Sequence, residues 1–323
     1  MRKMRQYFDK LKALKFSPLK FKKPQKSPPH QPKPAEAAPA TPPNAWNASW
    51  LQRIAQGVRH FLLAVQFFTR IPLGKRLADW VGFSPEMQRS STAYFPVVGM
   101  LVGCVVVALS IILFGTMEFN RFTPLAVAVL GVSISALLTG ALHEDGLADT
   151  ADGLGGYVSR EKALEIMKDS RIGTYGMVTL NLVLLGKISL LAFIGASSPT
   201  PMLLALWLGH TVSRFWPLCV IYLLSYAGEV DQSKAPPLAE PIETTTLITG
   251  TLWCIAALLL ALVVFDSLSF IAIGAGFLAS MLGFSAMLSL LHRRLQGFTG
   301  DGLGATQQIT ELAFYLGIAM TMQ

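Results

Sequence analysis

Seven stretches of this chain are too long and too apolar for ordinary strands or surface helices: residues 97–115, 125–142, 177–194, 202–226, 246–265, 267–291 and 312–322, the last extending back toward 303. Most approach the ~20 residues that cross a bilayer as a helix. Backbone in hydrocarbon must satisfy its own N–H and C=O groups, which confines such stretches to helices. Only 14% of the 323 residues are charged and 52% are hydrophobic, against roughly a quarter charged in soluble domains. The expected fold class is all-α, a polytopic helical integral membrane protein with about seven transmembrane helices. Residues 48–72 carry Trp50, Leu51, Ile54, Val58, Phe61, Leu62, Val65 and Phe68 on a helical period, interrupted by Arg53, Arg59, His60 and Arg70. This segment is expected as an N-terminal interfacial or re-entrant helix.

The net charge of +8 sits in the tail, because residues 1–50 hold eleven Lys/Arg against Asp9 and Glu36. The basic balance therefore gives no reason to expect nucleic acid as a partner. Residues 1–23 alternate Lys/Arg with Met, Tyr, Phe and Leu, a pattern that suits either a short amphipathic helix on anionic lipid or a solvated basic arm. Residues 24–47 are rich in Pro and Ala and read as an extended linker. The chain thus divides into a basic, Pro-rich extension over 1–50 and a membrane-embedded domain over 51–323. No apolar segment with a small-residue cleavage site begins it, so no cleavable signal peptide is expected. Cys104, Cys219 and Cys254 are odd in number and lie within apolar runs, which gives neither a disulfide framework nor a zinc site.

Against this background the run His143-Glu144-Asp145-Gly146-Leu147-Ala148-Asp149-Thr150-Ala151-Asp152-Gly153 stands out. As a helix it places Asp145, Asp149 and Asp152 at i, i+4 and i+7, on one face. Such a face repels itself unless a cation sits on it, and hard oxygen donors suit Mg²⁺ or Mn²⁺. An acidic helix start favoured by the dipole accounts for Glu144 and Asp145, not for Asp149 and Asp152. The tripeptide Asp-Gly-Leu recurs at 145–147, 152–154 and 301–303. Glycines such as Gly153, Gly300 and Gly302 let backbone approach a phosphate, although tight helix packing explains such residues equally well. With Asp301 on a second loop and cations at Lys168 and Arg171, the residues describe a site where a divalent cation clamps a pyrophosphate. Lys187 and Arg214 lie inside apolar spans, and ionisable groups there usually face a cavity or a partner; Lys187 has snorkelling to the surface as its alternative. His210 is expected to be a hydrogen-bonded interior residue.

These residues carry a resemblance. The acidic run, the segment Glu165-Ile166-Met167-Lys168-Asp169-Ser170-Arg171-Ile172-Gly173-Thr174-Tyr175-Gly176, the stretch Phe68-Thr69-Arg70-Ile71-Pro72 and the block Gly297-Phe298-Thr299-Gly300-Asp301-Gly302-Leu303-Gly304-Ala305 are similar to the cobalamin synthase family. These are the adenosylcobinamide-GDP ribazoletransferases, and the likeness is collinear from about His60 onward. It implies a Mg²⁺-dependent enzyme of the bacterial cytoplasmic (inner) membrane. Such an enzyme joins α-ribazole, or its 5′-phosphate, to adenosylcobinamide-GDP with release of GMP. It further implies Glu144, Asp145, Asp149 and Asp152 around the metal, with Asp152 as ligand or general base. Asp301 is then a second-loop catalytic ligand, and Lys168, Arg171, Lys187, Arg214, Gly153, Gly300 and Gly302 lie on the substrates. The lipid bilayer is the surrounding partner; a homo-oligomer or a complex with other late cobalamin-pathway enzymes stays open. Two rivals are a membrane transferase of the CDP-alcohol phosphotransferase type, disfavoured by Asp149 where an Arg is expected, and a divalent-cation transporter, disfavoured by acids clustered at the end of a span.

Lys/Arg should collect in cytoplasmic loops. Arg160, Lys162, Lys168 and Arg171 in one loop and Arg293 and Arg294 in another put both acidic blocks on the cytoplasmic face. Cysteines introduced at Gly155 or Gln296, in a chain lacking Cys104, Cys219 and Cys254, are expected to resist an impermeant thiol reagent in intact cells. Labelling of either from outside overturns the shared face.

Overall fold

The computed structural model describes residues 50–228, 240–264 and 270–322, and the basic tail and its linker lie outside them. Twelve α-helices occur among the described residues. Three short or amphipathic ones come first: α1 (Trp50–Phe68), α2 (Lys75–Val81) and α3 (Pro85–Ser91). Ser84 starts α3 by accepting from the Met87 amide at 3.1 Å, with Pro85 in the first turn, where its missing N–H costs nothing. On α1 the residues Trp50, Leu51, Ile54 and Val58 are exposed while Leu63, Ala64 and Val65 are buried, the distribution of a helix lying along an interface.

The long helices follow: α4 (Phe95–Thr116), α5 (Thr123–Thr139), α8 (Thr174–Ile194), α9 (Pro199–Leu223), α10 (Thr244–Val264), α11 (Phe270–Leu295) and α12 (Gly300–Ala319). Between α5 and α8 lie the acidic helix α6 (Leu142–Gly155) and the short α7 (Arg160–Ile166). By length and composition five helices can cross a membrane, or six if α5 and α6 form one broken span. The seventh stretch expected from the sequence is α12, which is a full-length helix. Its interior positions Thr306, Gln307, Gln308, Thr310 and Glu311 are all buried, so it faces protein where a lipid-facing span would be apolar.

α9 is the central element, buried along nearly its whole length, with α4, α10 and α12 packed on it. α12 also packs on α11, α6 and α8. Outward residues such as Leu182 and Leu185 on α8, Val263 on α10 and Leu282 on α11 are exposed and apolar, as lipid requires. One buried indole is paired across helices: Trp216 Nε1 donates to Ser280 Oγ at 2.7 Å, which answers the cost of an unpaired N–H in an apolar interior.

Two local features position the site. α5 ends at Gly140 (φ 68°), followed by Ala141 (φ 58°), so the chain turns 90° and α6 leaves the direction of α5. Left-handed backbone of this kind suits glycine and is uncommon for alanine. The chain after α1 fastens this corner, with the Arg70 amide donating to the Leu138 carbonyl at 2.7 Å. At the second feature, the segment after α9 meets the approach to α12. Ala227 N donates to Phe298 O at 2.8 Å and Phe298 N to Ser225 O at 2.9 Å.

α4 and α9 approach closely because Gly99 has no side chain: a Cβ there would lie 2.2 Å from the His210 carbonyl oxygen. Gly99→Val has to push backbone from backbone, and overpacking a core costs about 1–3 kcal/mol. The detergent-purified variant is expected to melt several degrees below wild type; an unchanged melting midpoint would contradict this packing.

Candidate active site

α6 and the start of α12 bring the two Asp-Gly-Leu blocks together. Gly146 faces the Asp301 backbone so closely that a Cβ would sit 2.8 Å from its carbonyl oxygen. A Cβ on Gly304 would sit 3.3 Å from the backbone of His143. The carboxylates of Asp145 and Asp301 therefore come from two helices held at glycine contact distance, and both face one cavity of about 680 Å³, within the usual range for small-molecule sites. Thr299 caps α12 by accepting from Gly302 N at 3.0 Å. Gly300, beside it, has open space next to its Cα. The positive end of α12 thus lies on the cavity wall.

Other walls supply charge and apolar surface. Lys168, Arg160 and Arg214 of α9 all line the cavity. Arg160 is committed to backbone, donating to the carbonyls of Leu295 and Ala227, and so fixes the edges of the cavity. Phe67, Phe68, Phe95, Leu164, Met167 and Phe298 make the apolar lining, and Phe68 stacks on His143 with rings 6.1 Å apart and 16° from parallel.

Next to the cavity wall runs a buried polar network. Lys187 Nζ donates to Gln308 Oε1 at 2.6 Å and pairs with Glu311 Oε1 at 3.1 Å. Glu311 also accepts from Gln307 and from the Tyr315 hydroxyl, and its Oε2 lies 3.5 Å from His210 Nδ1. Gln308 donates to Glu144 Oε1 at 3.0 Å, leaving Oε2 of Glu144 buried without a partner. Gln307, on the cavity wall, donates to Ser213 at 2.9 Å. α6, α8, α9 and α12 are thereby tied by one set of charges. Deleting one partner of such a pair costs about 3–5 kcal/mol because the other is left uncompensated.

Of the residues singled out from the sequence, Asp145, Asp301, Lys168, Arg214 and Gly300 share the cavity wall. The others have different places. Asp152 accepts from the amides of Gly173 (2.7 Å) and Gly176 (2.8 Å), so both oxygens serve the N-terminus of α8, where dipole and unpaired amides favour a carboxylate. Asp149 is half-buried, one turn after Asp145. Glu144 and Lys187 belong to the buried network. Gly153 lets α6 pack on Met167 and Ala163, and Gly302 sits against Leu291. Arg171 does not reach the cavity: it is exposed and paired with Asp169 at 2.6 Å. Hydrogen bonds from the side chain and backbone of Arg171 lower the Asp169 carboxyl to about 2, so the pair stays charged at any ordinary pH. Sequence reasoning missed His143, Gln307, Gln308 and Glu311. For the last three the signal was present, since an acid and two adjacent amides interrupt the final apolar stretch, but it was read as a shorter span.

Among the described residues no group of three or more His, Cys, Asp or Glu side chains could hold a metal ion by itself. Two carboxylates on one wall fit Mg²⁺ nonetheless, because that ion is commonly bound by one or two carboxylates, several waters and substrate phosphates.

A family model described as cobalamin-5-phosphate synthase matches residues 60–319. The chain belongs to the cobalamin-5-phosphate synthase family. It is 49% identical over 278 residues to the adenosylcobinamide-GDP ribazoletransferase of Albidiferax ferrireducens, covering 83% of this chain and 99% of that one. It is 49% identical over 282 residues to the enzyme of that name from Polaromonas sp., with the same coverage, and 41% identical over 267 residues to the one from Vibrio cholerae, covering 81% and 94%. No solved structure matches. The part of the chain matched by the family contains every cavity-lining residue and leaves the first 59 residues outside.

Asp152→Asn keeps one acceptor but presents an amide NH₂ to a backbone N–H, and hydrogen bonds to charged groups are worth about 1.5–3 kcal/mol. Thermal melting of purified variants is expected to show Asp152→Asn destabilised well beyond Asp145→Asn, whose side chain meets the open cavity. A variant at 152 that melts like wild type but does not turn over would move this residue into the chemistry.

Proposed function

We propose that this protein joins adenosylcobinamide-GDP to α-ribazole or its 5′-phosphate and releases GMP. The observation that carries the reading is the meeting of Asp145 and Asp301, from two separate Asp-Gly-Leu blocks, on one cavity with Lys168 and Arg214. Family membership is the second support, and neither the CDP-alcohol phosphotransferase nor the cation-transporter reading has comparable backing.

In the reaction a ribose hydroxyl of the acceptor attacks the phosphorus that bears the cobinamide. The bond from that phosphorus to the bridging oxygen breaks, and GMP leaves. Mg²⁺ held by Asp145 and Asp301 together with phosphate oxygens would neutralise charge on the diphosphate. A carboxylate of the same pair takes the proton of the attacking hydroxyl, a role open to any acid within hydrogen-bond reach. Lys168, near the solvent side, holds a phosphate oxygen as a point charge. Thr299, Gly300 and the first turn of α12 present backbone N–H groups and the positive helix end to the same oxygens. The apolar lining keeps bulk water from competing with the hydroxyl. The Lys187–Glu311 network holds α6 and α12 so that the two carboxylates keep their separation.

The asymmetry of Lys/Arg between loops supports a cavity open to the cytoplasm, in the inner membrane of a bacterium. Thr299 and Gly300 approach the site from one loop and Lys168 from another, and both loops carry the basic residues that the rule counts.

Asp145→Asn and Asp301→Asn each remove one charge from the proposed metal-binding pair. Transition-state stabilisation of this kind is worth several kcal/mol, and each 1.36 kcal/mol is about tenfold in rate. GMP release per milligram of purified protein, measured against Mg²⁺ concentration, is expected to fall on the order of a hundredfold or more in either variant with membrane yield retained. Wild-type turnover by Asp145→Asn at every Mg²⁺ level removes this pair from the mechanism.

A further inference from the structure

The short helices that precede α4 enclose a second cavity, of about 530 Å³, which the reaction proposed above does not use. Gln66 and Phe67 of α1, Asp79 of α2, Gly82 and Phe83 of the turn that follows, and Gln88 of α3 line it. Phe67 also lines the active-site cavity, so the two are neighbours. Gln88 is the informative residue. Its side chain is 7% exposed, yet among the described residues its amide has no hydrogen-bond partner; only its backbone is engaged, with Ser84 and Ser91. A buried amide in that state costs free energy until something pairs with it. Asp79, on the exposed side, forms no ion pair among the described residues. A carboxylate and the amides of Gln66 and Gln88 thus meet in one recess, and together they suit a cation rich in N–H donors.

Beside the recess stands a positive charge. Arg59 donates its Nε to the Val81 carbonyl at 3.0 Å and lies 5.8 Å over the Trp80 ring. Its Nη2 is 3.2 Å from where a Cβ on Gly82 would sit, and among the described residues neither Nη has a hydrogen-bond acceptor. The surroundings are apolar: Phe83 is 64% exposed, and Leu77, Trp80 and, on α1, Trp50, Leu51 and Ile54 are exposed as well. Exposed Trp, Phe and Leu on amphipathic helices belong at the level of lipid headgroups. A carboxylate inside, a guanidinium at the edge and apolar side chains around them are the complement of a zwitterionic lipid. We propose that this cavity holds the headgroup of an aminophospholipid. Its ammonium donates to Asp79 and to the carbonyl oxygen of Gln88, its phosphate meets Arg59, and its chains run along Trp80 and Phe83. A quaternary ammonium has no N–H to give these acceptors, and an anionic headgroup without an amine meets Asp79 as a like charge. The site is separate from the acidic pair and from the reaction proposed there.

The test is equilibrium binding of short-chain lipids to the full-length purified chain in detergent, for wild type, Gln88→Leu and Asp79→Asn. The probes are the dihexanoyl forms of phosphatidylethanolamine, phosphatidylcholine and phosphatidylglycerol. Wild type is expected to bind phosphatidylethanolamine roughly 10- to 100-fold more tightly than either of the others, the range for hydrogen bonds to a charged group. Each variant is expected to bring phosphatidylethanolamine within about threefold of phosphatidylcholine. Gln88→Leu removes an amide that nothing pairs, so its fold is expected to be kept; Asp79→Asn, at an exposed position, carries the test if it is not. Glycerophosphoethanolamine, the same headgroup without chains, is expected to compete about tenfold less well or worse, because it buries no methylenes. Equal binding of the three lipids, tightest binding of phosphatidylglycerol, or a preference that persists in both variants overturns the proposal. Equal competition by glycerophosphoethanolamine overturns it too, since the cavity would then take a soluble amine.

Discussion

Glu311 is one carboxylate deep in a bundle of apolar helices, and the arrangement around it depends on that charge being answered. It faces Lys187 from α8, His210 from α9 and two neighbours on its own helix, Gln307 and Tyr315. Gln308 carries the connection on to Glu144 of α6. In hydrocarbon there is no solvent to accept an unpaired group, so these helices have few alternative rotations or shifts relative to one another. Apolar packing alone would tolerate slippage along α12. The network prevents it, and the register of α12 against α6 is what sets Asp301 opposite Gly146.

The corner at Gly140 and Ala141 is the complementary constraint. Had the chain continued α5 in line, the acidic helix would have extended that span and carried its carboxylates away from α12. The 90° turn instead lays α6 where it can pack on both α8 and α12. Asp152 then meets the amides of Gly173 and Gly176, and the far end of α6 is fastened by Arg294, which donates to the carbonyls of Leu154 and Gly156. An acidic helix with its C-terminal carbonyls on an arginine and one of its carboxylates on a helix start has its charges answered at both places.

Much of this was legible in the chain. Runs of apolar residues located six of the seven long helices to within a few positions, and the spacing of Asp145, Asp149 and Asp152 puts three acids on one face of a helix, which the run Leu142–Gly155 forms. The Asp-Gly-Leu repeat connected α6 with α12 before any contact was known. What could not be read was the division of labour on that face, because it depends on which neighbour each acid meets. Asp152 meets amides and Asp145 meets the cavity, and periodicity treats them alike. Arg171 had the right charge in the right loop, but a carboxylate two residues away captures it. The buried polar side of α12 was obscured for a related reason: hydropathy averages along a helix, and a helix with one polar stripe inside protein scores as a poor span.

The contact between Gly146 and Asp301 separates two kinds of tolerance. A methyl group at 146 would improve helix propensity, but it would lie 2.8 Å from the Asp301 carbonyl oxygen, so backbone must move and the packing loses stability. The carboxylates cannot yield in the same way, since a displacement of about 1 Å in a reacting constellation can cost a hundredfold in rate. Damage at these glycines would thus show in melting, as overpacking does, and more strongly in turnover. A survey of variants that scored abundance alone would underrate the residues on which the meeting of the two acidic blocks depends.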